Sequence, residues 1–170
     1  MADSSLTREF FQGPITSLAF FHDAEYLLAG EDTHLTLYDL QTGHALRVGS
    51  IRVFSAQPIH GIRLLSNGRV LVWGAAQIAV VSNIEGFIGN MTDAQMFVKK
   101  AAAPDWIYDV APSPFDDSSA VLATAHNEVV HLHLNGDDAP VVGSIVSPSR
   151  PILYAARLKW LDQDTVLMAG

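Results

Sequence analysis

The sequence contains no cysteine, few charged residues and no apolar run long enough to cross a bilayer. The missing thiols exclude disulfides and thiolate metal sites. The longest apolar runs are broken by glycine or polar residues and stop far short of the roughly 20 residues that a membrane span requires. The first residues, "MADSSLTREFFQGP", lack a basic segment followed by an apolar one, so no signal peptide is predicted. These absences favour the cytosol or the nucleus.

Basic residues are also scarce, with ten Lys and Arg against 18 Asp and Glu, which gives a net charge of −8. A surface that grips phosphates needs Lys and Arg clustered on it. The only adjacent basic pair is Lys99-Lys100. Direct binding of a nucleic-acid backbone by this segment is therefore not expected.

Catalytic motifs are missing as well. The chain has no phosphate-binding loop, no Gly-x-Ser-x-Gly turn and no His-Glu-x-x-His pattern. The acidic pairs Asp116-Asp117 and Asp137-Asp138 lie in stretches rich in Pro, Ser or Gly, where carboxylates are usually solvated. We predict no catalytic residue, no cofactor and no metal site.

Short strands separated by turn residues dominate what is present. The segments "LTLYDL" (35–40) and "EVVHLHL" (128–134) alternate in polarity as half-buried strands do. The best helical window is Asp93–Ala103, which is predicted to be a turn or a short helix ended by Pro104. Apolar residues make up 49% of the chain, enough for a packed core.

The strands recur with a similar spacing along the chain. Four segments open with an apolar strand, and their anchors are 44, 48 and 45 residues apart: Ile15, Ile59, Ile107 and Ile152. A second strand ending in small residues follows each opening, and these ends are 44, 50 and 46 residues apart: Gly30, Gly74, Thr124 and Gly170. The two independent sets of anchors agree on one period.

A period of about 40–45 residues with four short strands is typical of a β-propeller blade. The sequence therefore predicts an all-β fold, a partial WD-repeat β-propeller of about three and a half blades within a single domain over residues 1–170. The predicted blades are approximately 14–54, 58–99, 105–146 and, incomplete, 151–170. Since about seven such blades close a ring, we expect the missing blades to come from a longer chain.

The segment "YDLQTG" (38–43) fits this interpretation. WD repeats end their third strand in a Trp-Asp pair, here with Tyr in place of Trp, and a polar turn follows. Tyr38-Asp39 occupies that place, and we expect Tyr38 to be buried and Asp39 to accept hydrogen bonds from the turn. The later blades carry different residues there, so the repeat is degenerate.

Five segments resemble one WD-repeat family in particular: "LLAGE" (27–31), "IHGI" (59–62), "DWIYDV" (105–110), "AHNEVV" (125–130) and "VLMAG" (166–170). They are similar, in order and spacing, to the amino-terminal blades of the WD repeat-containing protein 6 family. That resemblance implies a non-catalytic cytoplasmic adaptor that binds the tRNA 2′-O-methyltransferase catalytic subunit acting on the wobble nucleotide. Contact of this segment with tRNA would be indirect. The alternative is a general WD-repeat interaction platform with no link to tRNA, and a propeller hydrolase is disfavoured.

Six residues are candidate partner contacts: His60, Asp105, Trp106, Asp109, His126 and Asn127. Each also has a structural interpretation. The favoured interpretation makes Trp106 a core residue between blades, with the two acids facing outward, and His60 a satisfied structural histidine. Asn127 tolerates the left-handed backbone of a tight turn, which by itself would explain "HN" at 126–127.

Three histidines raise the alternative of a zinc site. His131 and His133 are two residues apart on a strand and face the same side, with His126, Asp137 and Asp138 nearby in sequence. Surface or inter-blade polar contacts are the favoured interpretation, because no other ligands are spaced to converge on them.

Overall fold

A computed structural model of the chain describes residues 13–65, 68–88, 97–136, 138–148 and 157–170. Within these ranges the chain forms antiparallel β-sheets and contains no α-helix, although a 3₁₀ turn spans Ile84–Phe87. The strands are β1 (Ile15–Phe21), β2 (Tyr26–Glu31), β3 (His34–Asp39), β4 (Leu46–Arg52), β5 (Gly61–Leu64), β6 (Val70–Gly74), β7 (Gln77–Ser82), β8 (Phe97–Ala102), β9 (Ile107–Pro112), β10 (Ser119–Thr124), β11 (Val129–His133), β12 (Val141–Val146), β13 (Arg157–Trp160) and β14 (Val166–Ala169).

The sheets follow the order of the chain. β1 to β4, β5 to β8 and β9 to β12 each form a four-stranded meander, and β13 pairs with β14. The first strands of consecutive sheets contact one another, β1 with β5, β5 with β9 and β9 with β13. The sheets therefore stand side by side like wedges whose first strands converge on an axis, while the fourth strands lie outermost. The predicted all-β fold, a partial propeller of about three and a half blades, is confirmed.

The hydrophobic core lies between the sheets. Leu28 and Leu37 of the first sheet pack with Val72 and Val81 of the second. A second cluster joins the second and third sheets, and a third cluster places Leu158 of the last sheet against the third sheet. Each fully buried Leu, Ile or Val stabilises the fold by about 1.5–3 kcal/mol, so the stacking of one sheet on the next holds the arc together.

The second strand of each four-stranded sheet is its most buried part. β6 and β10 lie between two neighbouring sheets and β2 lies against the second sheet, which is why "YLLAGE", "VLVWG" and "SAVLAT" are continuous apolar or small runs. Close packing also requires glycine at position 61. A Cβ on Gly61 would lie 1.9 Å from Cζ2 of the buried Trp73 ring.

Two expectations for the first sheet are met. Tyr38 is buried and its hydroxyl donates to the buried carboxylate of Glu31. Burial and the neighbouring Glu31 raise the pKa of Tyr38. Asp39 accepts a hydrogen bond of 2.7 Å from the backbone N–H of Gln41, so the acid holds the turn as predicted.

The prediction of a turn or short helix at Asp93–Ala103 is wrong for its described part. Residues 97–102 form β8, which pairs with β7 over its whole length. Ladder bonds to a buried neighbour outweigh the helical preference of "KKAAA". Residues 93–96 lie outside the described residues.

Several other predictions fall on residues that the structure does not describe. They concern the absence of a signal peptide at the start of the chain, the anchor Ile152, and Asp137 as a metal ligand. The described part of the chain contains no helix long and apolar enough to span a bilayer.

Candidate functional site

The strands of the arc run between two ends. The turns between second and third strands lie at one end, together with the connections that lead into each first strand, such as 53–60 and 103–106. We call this the Trp106 end. The turns between first and second strands, including 113–118 and 161–165, lie at the other end, which we call the Pro112 end.

Backbone hydrogen bonds tie the connections before β5 and β9 to the turn of the preceding sheet. The N–H of Ile59 donates to the carbonyl of Asp32 at 2.7 Å, and the N–H of Ile107 donates to that of Ala75 at 2.8 Å. Asp32 and Ala75 both have left-handed backbones, with φ of 51° and 47°. The connections that carry the candidate residues are therefore fixed to neighbouring sheets.

His60 lies half-buried between the second and third sheets. Its ring Nδ1 accepts a hydrogen bond of 3.3 Å from the backbone N–H of Ala75. The backbone N–H of His60 donates to the carbonyl of Trp73 at 2.7 Å. Burial lowers the pKa of His60. An unprotonated Nδ1 is also what the bond from Ala75 requires, so His60 is a neutral, oriented ring.

The indole of Trp106 packs against the imidazole of His60. The centroids of His60 and Trp106 are 4.9 Å apart and the rings are tilted by 35°. The carbonyl of Trp106 accepts a hydrogen bond of 2.8 Å from the N–H of Ala125. The side chain is nevertheless 46% exposed, so the interpretation of a core tryptophan does not describe it.

Asp105 pairs with His126 beside Trp106. Oδ2 of Asp105 lies 2.6 Å from Nδ1 of His126, whose side chain is 80% exposed. A hydrogen bond from the backbone N–H of Trp106, aided by His126, lowers the pKa of Asp105. The pair places a carboxylate and an imidazole next to an exposed indole, which offers both polar and apolar contacts to a partner.

Asn127 supplies the turn that presents His126. It has a φ of 61°, and its N–H donates to the carbonyl of Thr124 at 3.1 Å. The hydroxyl of the buried Thr124 accepts from the N–H of Glu128 at 3.2 Å. Five of the six candidate residues thus meet at one place, which we call the Trp106 cluster: His60, Asp105, Trp106, His126 and Asn127.

Asp109 does not belong to this cluster. It lies on β9 and is only 1% exposed, so the expectation that it faces outward is wrong. Its Oδ1 accepts from the guanidinium of Arg63 on β5 at 2.9 Å, and its Oδ2 accepts from the N–H of Leu158 on β13 at 2.8 Å. One carboxylate therefore joins the first strands of three consecutive sheets, a structural role that excludes direct contact with a partner.

The histidine pair on β11 is close, as its alternation predicts. The rings of His131 and His133 are 4.5 Å apart and roughly perpendicular. Burial, together with His133, lowers the pKa of His131. Among the described residues no three His, Cys, Asp or Glu side chains are grouped so that they could hold a metal ion.

The contacts of Asp109 and His60 are difficult to predict from the sequence. The partners of Asp109 are 46 and 49 residues away in the chain. The repeat offers one usable signal, because Arg63, Asp109 and Leu158 all lie on first strands that converge at the axis. The hydrogen bond from Ala75 to His60 carries no such signal, since alanine is not a residue from which a polar contact is expected.

The fold was compared with solved structures. Sqt1 of Saccharomyces cerevisiae superposes with a TM-score of 0.70 at 9% identity, over 91% of this chain and 40% of that one. The β-propeller domain of Cps50 (Swd1) of Myceliophteria thermophila gives 0.64 at 16% identity, over 81% of this chain and 44% of that one. A chain of the Mitotic Checkpoint Complex gives 0.62 at 12% identity, over 94% of this chain and 48% of that one.

The chain thus spans less than half the length of each of these three structures. No family model and no curated protein matches the sequence, so the resemblance to the WD repeat-containing protein 6 family stays a prediction. What the comparisons show is the fold, which is that of WD40 β-propellers.

Proposed function

We propose that this chain is a non-catalytic scaffold that binds a partner protein through the Trp106 cluster. The observation that carries the proposal is an indole that is 46% exposed yet packed against the His60 ring, on a backbone that is held by the hydrogen bond from Ala125. An immobilised aromatic side chain loses little entropy on binding, and tryptophans of this kind often dominate the energy of an interface.

The charges beside the indole suit such a role. Asp105 and His126 are held at 2.6 Å at the edge of the cluster, so an approaching partner meets an apolar centre with a polar border. An exposed ion pair adds little affinity, but it fixes the orientation of the partner. We infer that Trp106 supplies most of the affinity and the Asp105–His126 pair supplies orientation.

The partner that we propose is the catalytic subunit of a tRNA 2′-O-methyltransferase that modifies the wobble nucleotide, in the cytoplasm. The sequence resemblance supports this choice. So does the net charge of −8, which leaves the phosphate contacts to the partner. A WD-repeat platform for another complex would use the same surface with a different protein.

Co-purification tests both the binding surface and the identity of the partner. A tagged full-length gene product is recovered from cells in the wild-type form and as Trp106→Ala, with Tyr108→Ala as the control. Tyr108 is 38% exposed and lies two residues further along the chain, so its loss removes a comparable exposed ring outside the cluster. We expect the methyltransferase and its tRNA to be recovered with the wild-type protein and the Tyr108→Ala variant, and to be lost with Trp106→Ala.

The other outcomes distinguish an error in the partner from an error in the binding surface. Recovery of a different protein that Trp106→Ala abolishes would overturn the methyltransferase partner and keep the scaffold. Partners that survive Trp106→Ala unchanged would contradict the Trp106 cluster as the binding surface.

A further inference from the structure

The fourth strands β4, β8 and β12 form the outer edges of the three four-stranded sheets. Each pairs with the third strand of its own sheet, and no described strand pairs with its other side. A free strand edge offers unpaired N–H and C=O groups to another chain, and proteins often protect such an edge with charged side chains. What each edge can bind therefore depends on its charges.

β4 and β12 have almost the same sequence but differ in this protection. Both contain Val-Gly-Ser-Ile, at 48–51 in β4 and at 142–145 in β12. In β4 this segment lies between Arg47 and Arg52. In β12 the flanking residues are valines, and the strand carries no charge. Charged side chains therefore protect the outer edge of the first sheet and not that of the third sheet.

The apolar side chains of β12 are exposed. Val141, Ile145 and Val146 are 49%, 48% and 59% exposed, although valine and isoleucine are among the residues most often buried. Pro140 and Pro148 have no N–H to donate, so pairing along this edge is limited to the residues between them. β12 is therefore a short, uncharged, apolar edge of the kind that pairs with another strand.

A bulge makes β12 symmetric about its centre. Where β12 pairs with β11, the register shifts so that Gly143 and Ser144 together lie opposite one residue, His131. The extra residue changes which side chains share a face of the sheet. The two faces then carry matching apolar pairs: Val141 and Val146 on one, Val142 and Ile145 on the other.

A second copy of the chain fits this symmetry. Two β12 strands can pair antiparallel about a two-fold axis that passes between Gly143 and Ser144 and is perpendicular to the sheet. Val141 then lies opposite Val146 of the second copy, on the same face. Branched apolar side chains that lie directly opposite each other stabilise an antiparallel pair. The β12 edge is therefore complementary to itself.

The other two outer edges are not suited to pairing with themselves. The same two-fold pairing of β4 would place Arg47 opposite Arg52, and in β8 it would place Lys99 opposite Lys100. Like charges directly opposite each other destabilise an antiparallel pair. The net charge of −8 opposes association of two copies in general, but none of that charge lies on β12.

We propose that two copies of the chain associate through their β12 edges and form one eight-stranded sheet. A single pair of six-residue strands is expected to bury less than the roughly 1,200 Å² of stable specific interfaces, so the association is weak and reversible. β12 lies three strands from β9, about 14 Å at roughly 4.8 Å per strand, and is separate from the Trp106 cluster. This proposal and the proposed function therefore succeed or fail separately.

Sedimentation velocity of the full chain over a range of concentrations measures the association. The double variant Val141→Arg/Val146→Arg gives β12 the charge pattern of β4, which forms an outer strand in the same molecule, and circular dichroism checks that the variant is folded. We expect a dimer in the wild type that increases with concentration, and a Kd at least about tenfold higher in the variant. Leu167→Arg is the control, because Leu167 is 50% exposed on β14, and it should leave the Kd unchanged.

Cross-linking tests the register. The chain has no cysteine, so Val141→Cys and Val146→Cys each introduce a single thiol. Opposite residues have Cα atoms about 4.5–5.5 Å apart, within reach of a disulfide, whereas each thiol lies roughly 15 Å from its own copy. Under mild oxidation, a mixture of the two variants should therefore cross-link at least about fivefold more than either variant alone.

Four results would each overturn the proposal. They are a monomer at every concentration, association of the double arginine variant at the wild-type Kd, an equal loss of association in Leu167→Arg, and equal cross-linking of the mixture and the single variants.

Discussion

Asp105 and Asp109 lie four residues apart in "DWIYDV", yet their surroundings are opposite. Asp105 precedes β9 in a connection and pairs at 2.6 Å with the exposed His126. Asp109 lies within β9, is 1% exposed and accepts hydrogen bonds from the sheets on either side. The carboxylate of Asp105 is therefore partly accessible, whereas that of Asp109 holds three sheets together.

The difference teaches that position relative to the axis decides the role of an acid in this arc. First strands converge, so a carboxylate on one of them can reach its two neighbours. Asp105 lies in the preceding connection instead and pairs with the exposed His126. Substitution of Asp109 should therefore lower the stability of the fold, whereas substitution of Asp105 should leave it nearly unchanged.

The largest effect is expected for Asp109→Ala. The substitution leaves the guanidinium of Arg63 and the buried N–H of Leu158 without their acceptor. Breaking a fully buried pair costs about 3–5 kcal/mol, and because Arg63 is partly exposed we expect a loss of about 3 kcal/mol in the free energy of unfolding. Urea denaturation followed by circular dichroism measures it.

Asp109→Asn and Asp105→Ala are the matched variants for that experiment. Asn keeps an acceptor and the volume of the side chain, so its cost should be smaller than that of Ala. Asp105→Ala should unfold close to the wild-type midpoint. Equal losses for Asp105→Ala and Asp109→Ala would remove the distinction between the two acids.

Gly61→Ala should have the next largest effect. A Cβ there would lie 1.9 Å from the ring of Trp73, so the buried indole must move. Overpacking of this kind costs about 2 kcal/mol. The neighbouring substitution His60→Ala removes a half-buried ring without a clash and should cost less. The reverse order in thermal unfolding would show that Trp73 is not packed on Gly61.

Ala75→Gly should stabilise the fold. Ala75 has a φ of 47°, a left-handed conformation that costs an L-residue about 1–2 kcal/mol. The greater freedom of glycine in the unfolded chain offsets part of the gain, which leaves about 0.5 kcal/mol. Ala76→Gly, in the same turn but without a positive φ, should destabilise instead. A loss of stability in both variants would contradict the turn geometry.

A smaller effect concerns pH. Burial lowers the pKa of His60 below the ordinary value of 6.5, so the unfolded state binds more protons in the window between the two values. The contribution of His60 to stability is therefore fully present above about pH 6.5. It falls as the pH drops through this window and levels off below the pKa of the folded state. His34 and His131, whose pKa values burial also lowers, contribute with the same sign.

The check on this prediction is His60→Gln, with urea midpoints measured from about pH 7.5 to about pH 5. The variant should lose less stability over this range than the wild type. His44→Gln, which replaces another exposed imidazole in the turn before β4, serves as the control. A wild-type slope that His60→Gln leaves unchanged would show that His60 is not a buried neutral ring.

Asp105→Asn should have the smallest effect on stability. Its partner His126 is 80% exposed, and exposed ion pairs contribute about 0.5 kcal/mol or less. A double-mutant cycle of Asp105→Asn with His126→Gln measures the coupling. A coupling above about 1.5 kcal/mol would mean that the pair helps to hold the fold, as Asp109 does.

Much of the architecture could be predicted from the sequence because it rests on periodicity. Repeated anchors near Ile15, Ile59 and Ile107 report the first strands, and the small residues at Gly30 and Gly74 report the ends of the second strands. β8 was missed because "KKAAA" favours helix locally, while the neighbouring strand that overrides it is distant in the chain.

The site was predictable only in part. Turn chemistry predicted the tight turn at Asn127, whereas the exposure of Trp106 and its contact with His60 were not predicted. The two faces of β9 could not be distinguished, because the alternation shifts where β9 and β10 pair irregularly near Thr124. Contacts such as that between Asp109 and Leu158 depend on how sheets are placed in space, which a single sequence does not specify.

The most direct test of the central claim, that Asp109 fastens three converging strands, is the hydrogen exchange of one amide. The N–H of Leu158 donates to the carboxylate of Asp109. In the wild type we expect this amide to exchange at least about tenfold more slowly than the amides of the exposed turn at 161–164, and Asp109→Ala should remove that protection under conditions where both proteins are folded. A Leu158 amide that exchanges as fast as the turn in the wild type would contradict the account.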